Sequence, residues 1–197
     1  VAFGTVFSAS AVDDMFKENP ETFVVTMSNV SAPSYEKVVE GNTVVNTTIT
    51  DEATPSTEDT LTVKLVAWDA VNNVALTSSQ IEEGQTASYK IIATKPDGTE
   101  VTNGTADITF TNGTTQGSSD YTATSKTGVA FGEVFSAEAV DDMFKEDPET
   151  FVVTMSNVSA PSYEKVEIGN TVVETTITDE AKPSAEDTLT VKLVAWD

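Results

Sequence analysis

The chain has 197 residues, with 32 acidic residues against 10 basic ones, no histidine, no cysteine and a formal net charge of −22. This charge opposes binding to nucleic acid or anionic lipid, and we expect no nucleic-acid partner. The lack of cysteine excludes a disulfide framework, so core packing or metal ions must brace the fold. We also expect no direct membrane insertion, because no apolar run approaches the roughly 20 residues of a spanning helix.

A long repeat organises the chain. Trp68 and Trp196 lie 128 positions apart (196 − 68), and residues 1–69 and 129–197 differ at only eight of their 69 shared positions. Residues 70–128 occur once. Self-similarity at a fixed period is typical of tandem arrays. We therefore predict about one and a half units of a longer array.

Proline and acid pairs mark the boundaries between units. Residues 52–59 and 181–187 contain proline, few apolar side chains and flanking acids, and we interpret them as linkers. The predicted organisation, in chain order, is the carboxy-terminal part of one repeat (1–51), a linker (52–59), a complete immunoglobulin-like repeat (60–180), a linker (181–187) and the first strand of the next repeat (188–197).

Alternating apolar residues predict strands through the complete repeat. Leu61, Val63 and Leu65 alternate with polar residues in the first of these segments, which is typical of a half-buried strand. The same period predicts strands at 87–94, 106–110 and 150–155, and the Thr- and Val-rich run at 170–178 predicts another through its high β propensity. Their predicted inward residues include Ala87, Tyr89, Ile91 and Ala93, and Phe151, Val153 and Met155.

Turn residues separate these segments. Pro96-Asp97-Gly98, Asn103-Gly104 and Asn112-Gly113 are strong short-range hairpin signals. Helical spacing is not sustained anywhere in the sequence. Short strands with regular turns predict an all-β fold, an antiparallel immunoglobulin-like β-sandwich.

The loop after residue 140 gathers carboxylates in a passage that is otherwise strand-like. In AVDDMFKEDPETF the acids are Asp141, Asp142, Glu146 and Glu149. Like charges this close cost free energy unless a cation neutralises them. With oxygen ligands alone, Ca²⁺ is the first candidate and Mg²⁺ the second, whereas zinc and copper fit poorly. The alternative is an acidic face that is only solvated.

Four segments, in chain order, resemble the Calx-β domain family. They are EEGQTASYKI at 82–91, GSSDYTAT at 117–124, the passage from Val129 to Val158 and TTITDE at 175–180. The resemblance implies an immunoglobulin-like sandwich whose loops at one end bind Ca²⁺. It implies as ligands Glu83, Asp120, Asp141, Asp142, Glu146, Glu149 and Asp179. The equivalents in the partial copy are Asp13, Asp14, Glu18, Glu21 and Asp51.

Both linkers are flanked by acids. Asp51, Glu52, Glu58 and Asp59 lie at the two ends of the first linker, and Asp179, Glu180, Glu186 and Asp187 lie at the two ends of the second. A cation shared across a linker would fix the orientation of neighbouring domains, and proline already limits bending. We therefore predict that Ca²⁺ converts a flexible string of domains into a rod.

Tandem copies, lysine as the only basic residue and no cysteine together resemble the extender repeats of giant bacterial RTX-type adhesins. The resemblance implies an extracellular, calcium-stabilised spacer in cell adhesion or biofilm, at the bacterial cell surface. Its partners would be neighbouring repeats of the same polypeptide, with head-to-tail or strand-complementing association of truncated repeats. Two alternatives stay open: a ligand- or glycan-binding adhesin module, and a calcium-sensing Calx-β regulatory domain. We expect no enzyme, because the sequence has no histidine, cysteine, nucleophile motif or phosphate loop.

Overall fold

The computed structural model describes residues 1–182, 185 and 187–196, and this part of the chain is built from strands. No helix among these residues is long and apolar enough to cross a bilayer. In chain order the strands are β1 (Glu21–Thr26), β2 (Val44–Ile49), β3 (Thr60–Asp69), β4 (Val74–Ala75), β5 (Ser79–Glu82), β6 (Thr86–Thr94), β7 (Thr105–Asn112), β8 (Tyr121–Thr122), β9 (Lys126–Ala130), β10 (Val134–Ala139), β11 (Glu149–Ser159), β12 (Lys165–Ile168) and β13 (Val172–Thr178).

Strands β3 to β13 form two sheets around one core. One sheet has the order β12-β3-β6-β10-β8, with β4 beside β3, and the other has the order β5-β13-β11-β7-β9. Neighbours are antiparallel except at one edge of each sheet, where β12 runs parallel to β3 and β5 runs parallel to β13. The predicted all-β, immunoglobulin-like sandwich is confirmed, with these two parallel edge pairs as an addition.

The alternating residues fill the space between the sheets. Leu61, Val63 and Leu65 are fully buried, and the predicted inward residues of the segments at 87–94 and 150–155 are at most 4% exposed. Tyr89 on β6 reaches across to β13, where its hydroxyl lies 2.5 Å from Thr175 Oγ1. The two inner faces therefore meet in a core of apolar side chains with one buried hydroxyl pair.

The two Asn-Gly pairs do not close hairpins, so that prediction was wrong. β7 lies between them and pairs with β11 and β9, and neither partner is joined to it by a two-residue Asn-Gly loop. Gly104 instead allows the backbone to pass the Phe131 ring, with which a Cβ would collide. Pro96-Asp97-Gly98 does form a tight turn, since Gly98 N donates to Lys95 O at 2.9 Å. Glycine was needed for close approach at one site and for a turn at the other.

The sandwich has two ends that matter for function. At the distal end, Glu83 N donates to Thr178 O and Val140 N donates to Asp120 O, both at 2.9 Å. These bonds hold the turn after β5, the turn before β8 and the loop between β10 and β11 at the same end of the sandwich. At the proximal end, Thr60 pairs with Lys165, so the loop Ala160–Glu164 lies beside the start of β3.

The first copy contributes a separate two-stranded sheet and one contact with the sandwich. β1 and β2 pair antiparallel with each other. Before them, Phe16 bridges Tyr163, Lys17 N donates to Ser162 O at 3.0 Å, and Glu164 N donates to Met15 O at 3.2 Å. The first copy thus meets the proximal end of the complete unit through paired backbone.

Candidate metal centres

The loop between β10 and β11 is shaped by its own acids. β10 ends at Ala139 and β11 begins at Glu149, so Asp141, Asp142 and Glu146 lie in the loop that the sequence predicted. Within the loop, Phe144 N donates to Asp142 Oδ1 at 2.7 Å, and Glu146 N donates to Asp179 Oδ1 at 2.9 Å. Asp142 and Asp179 therefore hold the backbone of the loop, while other carboxylates turn towards one another.

The first distal cluster consists of Asp120, Glu146 and Glu149. Each offers a carboxylate oxygen, and these oxygens lie within 4.8 Å of one another. Asp120 is only 8% exposed and accepts a hydrogen bond from Gln116 N. Glu149 Oε2 is buried and has no hydrogen-bond partner among the described residues. A buried carboxylate oxygen without a donor costs free energy, which a bound cation would recover.

The second distal cluster consists of Glu83, Asp141 and Glu180, with the same 4.8 Å limit between its oxygens. Glu83 is 8% exposed, and its Oε2 also has no hydrogen-bond partner in the described part of the chain. The turn that follows β5 carries Glu83, the loop after β10 carries Asp141, and the segment after β13 carries Glu180. Three separate strand ends thus converge on one point.

Burial and repulsion raise the pKa of Glu83 to about 7. Burial is the largest cause, and the charges of Asp179, Glu146 and Asp142 add to it, while a backbone hydrogen bond from Asp142 acts in the opposite direction. Without a cation, the site therefore holds a proton at a pH where glutamate is normally ionised.

Glu149 behaves in the same way, whereas its neighbour Asp120 does not. Burial, then a hydrogen bond that the protonated Glu149 donates to Asp120, and the charges of Asp120 and Glu146 raise the pKa of Glu149 to about 7. Burial also acts to raise the pKa of Asp120, but hydrogen bonds from Gln116 N, Ser119 and Glu149 outweigh it and lower that pKa. Glu149 therefore keeps the proton and Asp120 the charge.

A third cluster lies at the proximal end, where the first copy meets the complete unit. Asp13, Glu52 and Asp59 bring oxygens within 4.8 Å of one another. Asp59 is 2% exposed and accepts a hydrogen bond from Ser56 N at 2.5 Å. Asp13 and Glu52 are the 128-residue equivalents of Asp141 and Glu180, so the same two acids take part at both ends.

Glu164 lies beside this third cluster and was not predicted from the sequence. Its Oε2 is buried without a hydrogen-bond partner among the described residues. Burial, followed by Glu52, Asp51 and Asp59, raises its pKa to about 7. No signal within the single repeat identifies Glu164, because its acidic neighbours belong to the linker and the preceding copy.

The structure thus brings together nine of the predicted acids in three clusters. Eight other predicted acids lie outside these clusters: Asp14, Glu18, Glu21, Asp51, Glu58, Asp142, Asp179 and Asp187. Glu186 lies outside the described residues. Oxygen donors alone, with buried carboxylates that lack partners, fit a hard cation such as Ca²⁺.

Comparisons with known proteins give structural similarity only. No protein-family model matches the chain, and no curated protein sequence matches it. The chain is similar to a solved structure of the apo-form Calx CBD1 domain, at 16% identity and a TM-score of 0.45, over 61% of this chain and 97% of that one. The sandwich described above rests on the strand pairing of this chain itself.

Two longer solved structures show similar values. They are CBD12 from CALX1.2 and the calcium binding domain CBD12 of CALX1.1, each at 16% identity, with TM-scores of 0.43 and 0.42. The match covers 60% and 52% of this chain, but only 45% and 42% of those chains. This chain therefore spans less than half of their length.

Proposed function

We propose that this chain is part of a calcium-stabilised spacer, an extender repeat of a large bacterial cell-surface adhesin. The observation that carries the proposal is a pair of buried oxygens at the distal end, Glu83 Oε2 and Glu149 Oε2, which have no hydrogen-bond partner within the described part of the chain. Each belongs to a cluster of three carboxylates. Burying a carboxylate without a donor or a counter-charge is costly, and a cation supplies the missing counter-charge.

The donor set favours calcium over magnesium. Calcium accepts about six to eight oxygens in flexible geometry, whereas magnesium needs near-ideal octahedral geometry and retains water. The distal clusters take their oxygens from three loops and the ends of several strands, and several of the carboxylates are partly exposed. Such ligands can adapt to calcium, with water completing its coordination.

Two observations support a spacer over a ligand-binding module. The first is the near-identical repetition, which multiplies one structural unit along the chain. The second is the lining of a cleft of about 200 Å³ at the proximal junction, where seven of the thirteen residues are acids and Phe16 is the one aromatic residue. A sugar-binding site normally uses aromatic platforms and mixed polar groups.

Thermal unfolding with and without Ca²⁺ tests the metal binding. A ligand that binds only the folded state stabilises it increasingly with concentration, by about 2.7 kcal/mol at a hundredfold excess over Kd. We expect Glu83→Gln to reduce this shift. Glu174→Gln is the matched control, because Glu174 is exposed on β13 and the first copy has Asn46 there. A melting temperature that is the same in Ca²⁺ and in chelator would refute calcium binding.

The length of the molecule tests the spacer role separately. Small-angle scattering of the full chain should show a longer and narrower distribution of dimensions in Ca²⁺ than in chelator, since bound ions would restrict bending at the proximal junction. A calcium-dependent melting temperature with unchanged dimensions would retain the metal sites and reject the mechanical role.

A further inference from the structure

The repeat places one sequence, Asp-Asp-Met-Phe-Lys, in two different settings. In the first copy, at Asp13–Lys17, Met15 is 7% exposed and belongs to the buried core cluster. In the second copy, at Asp141–Lys145, Met143 is 48% exposed. The residues and their local hydrogen bonds are the same, so the difference arises from what lies on top of the segment.

The covering element in the first setting is the loop Ala160–Glu164. The segment and the loop pair through two backbone hydrogen bonds, Lys17 N to Ser162 O and Glu164 N to Met15 O. The Phe16 and Tyr163 rings lie 5.4 Å apart, and Lys95 Nζ lies 5.4 Å from the Phe16 ring centre. Backbone pairing, a ring contact and a cation–π contact together make a specific interface.

The geometry of the unit makes this interface repeatable. Strand β11 has 11 residues, so it separates the Asp141–Lys145 segment at its start from the Ala160–Glu164 loop at its end by about 36 Å. The segment lies at the distal end of a unit and the loop at the proximal end. A contact between opposite ends of identical units is heterologous and propagates along an array.

We propose that Met143 and Phe144 form a docking surface for the Ala160–Glu164 loop of the next repeat in the same polypeptide. Successive units then pack end to end through the contact that Met15 and Phe16 already make. The inference goes beyond the proposed function, because it names the surfaces that touch. It rests on backbone pairing and apolar contact, so the contact forms with or without calcium, and ions bound at the third cluster would only restrict its residual bending.

Disulfide trapping tests the contact, because the chain has no native cysteine. Phe16 and Tyr163 face each other between two flanking hydrogen bonds, an arrangement with a Cα separation of about 4.5 Å that suits a disulfide. Phe16→Cys with Tyr163→Cys in the full chain should therefore cross-link within one molecule under mild oxidation. If this pair did not cross-link, the contact from which the proposal is drawn would be absent, and the proposal would be overturned.

The decisive arm uses the full chain lengthened by one repeat, with residues 70–197 appended after residue 197. Phe144→Cys is combined with cysteine at the appended copy of Tyr163. We expect the yield of intramolecular disulfide to be within about twofold of the Phe16–Tyr163 pair, in Ca²⁺ and in chelator alike. Cross-linking of the first pair without the second would overturn the proposal.

Two controls make each outcome decisive. Since Tyr163 is buried, a second pair at exposed or half-buried positions, Lys17→Cys with Ser162→Cys and its appended equivalent, repeats the test without touching the core. In the original chain, Phe144→Cys with Tyr163→Cys should give no intramolecular disulfide. Disulfide-linked dimers from that variant would assign the surface to a second molecule and reject the tandem contact. Cross-linking in Ca²⁺ alone would likewise reject a calcium-independent contact.

Discussion

The same nine residues, TLTVKLVAW, lie in opposite environments in the two copies. In the first they belong to β3, between β12 and β6, and Trp68 is 6% exposed. In the second, residues 188–196 form no strand and Trp196 is 93% exposed. An alternating pattern therefore allows a segment to form a strand, but the strand forms only where neighbouring strands pair with it.

Other repeated segments keep their conformation in both settings. β1 pairs with β2 from Glu21 and Ile49 onward, in the same register that β11 and β13 use 128 residues later. Glu18 N donates to Asp51 Oδ2 at 2.8 Å, and the equivalent bond joins Glu146 N to Asp179 Oδ1 at 2.9 Å. Register and loop shape are thus local properties, whereas burial depends on the rest of the sandwich.

The largest expected difference is in the unfolding free energy lost when phenylalanine is replaced at the same repeat position in the two copies. Phe151 is fully buried, whereas Phe23 is half-buried in the two-stranded sheet. Phe151→Ala should cost about 3–5 kcal/mol, because it removes buried contacts and leaves a cavity. Phe23→Ala should lower the unfolding free energy of the sandwich by less than about 1 kcal/mol. Urea unfolding measures both, and equal losses would show that the first copy shares the core.

The strands that could be predicted from the sequence are those whose own alternation marks them, without knowledge of the strands they pair with. The alternation of Leu61, Val63 and Leu65 identified β3, and the inward alternation of Phe135, Ala137 and Ala139 could have identified β10 in the same way. The edge strands β5 and β12 are four residues long and pair in parallel with distant strands. Nothing within four residues specifies such a partner, so these strands could not be predicted.

The site was predictable as a set of acids but not as clusters. The spacing of Asp141, Asp142, Glu146 and Glu149 correctly placed them in and around one loop. Asp141 joins one distal cluster, Glu146 and Glu149 join the other, and Asp142 joins neither. This distribution depends on which strand ends meet at the distal end. Glu164 shows the limit most clearly, since its acidic neighbours come from a linker and another copy.

The second-largest expected difference is between the two equivalent methionines, one at the junction and one exposed. Met15→Ala should weaken docking of the first copy by about 2 kcal/mol, the lower end of the range for a buried methionine. Met143→Ala, at the exposed equivalent, should change stability by no more than about 0.5 kcal/mol. Hydrogen exchange of the Lys17 and Glu164 amides measures docking directly, because both donate across the junction. Equal exchange in the two variants would contradict the contact.

The smallest expected contrast is in pH dependence, measured in chelator. Burial raises the pKa of Glu149 to about 7 from an ordinary value of 4.5, so the folded state binds more protons than the unfolded state between these values. The stabilisation from this group is fully present below about pH 4.5 and is lost as pH rises through about 7. Glu149→Gln should therefore flatten the fall in melting temperature over this range. Glu21→Gln, at the exposed equivalent in the first copy, should leave the fall unchanged.

Saturating Ca²⁺ should oppose the fall in melting temperature with rising pH, because it binds the ionised carboxylates and competes with the proton. A fall that persists unchanged in Glu149→Gln would separate the pH response from this cluster and assign it to Glu83, to Glu164 and to the general repulsion of a chain with charge −22.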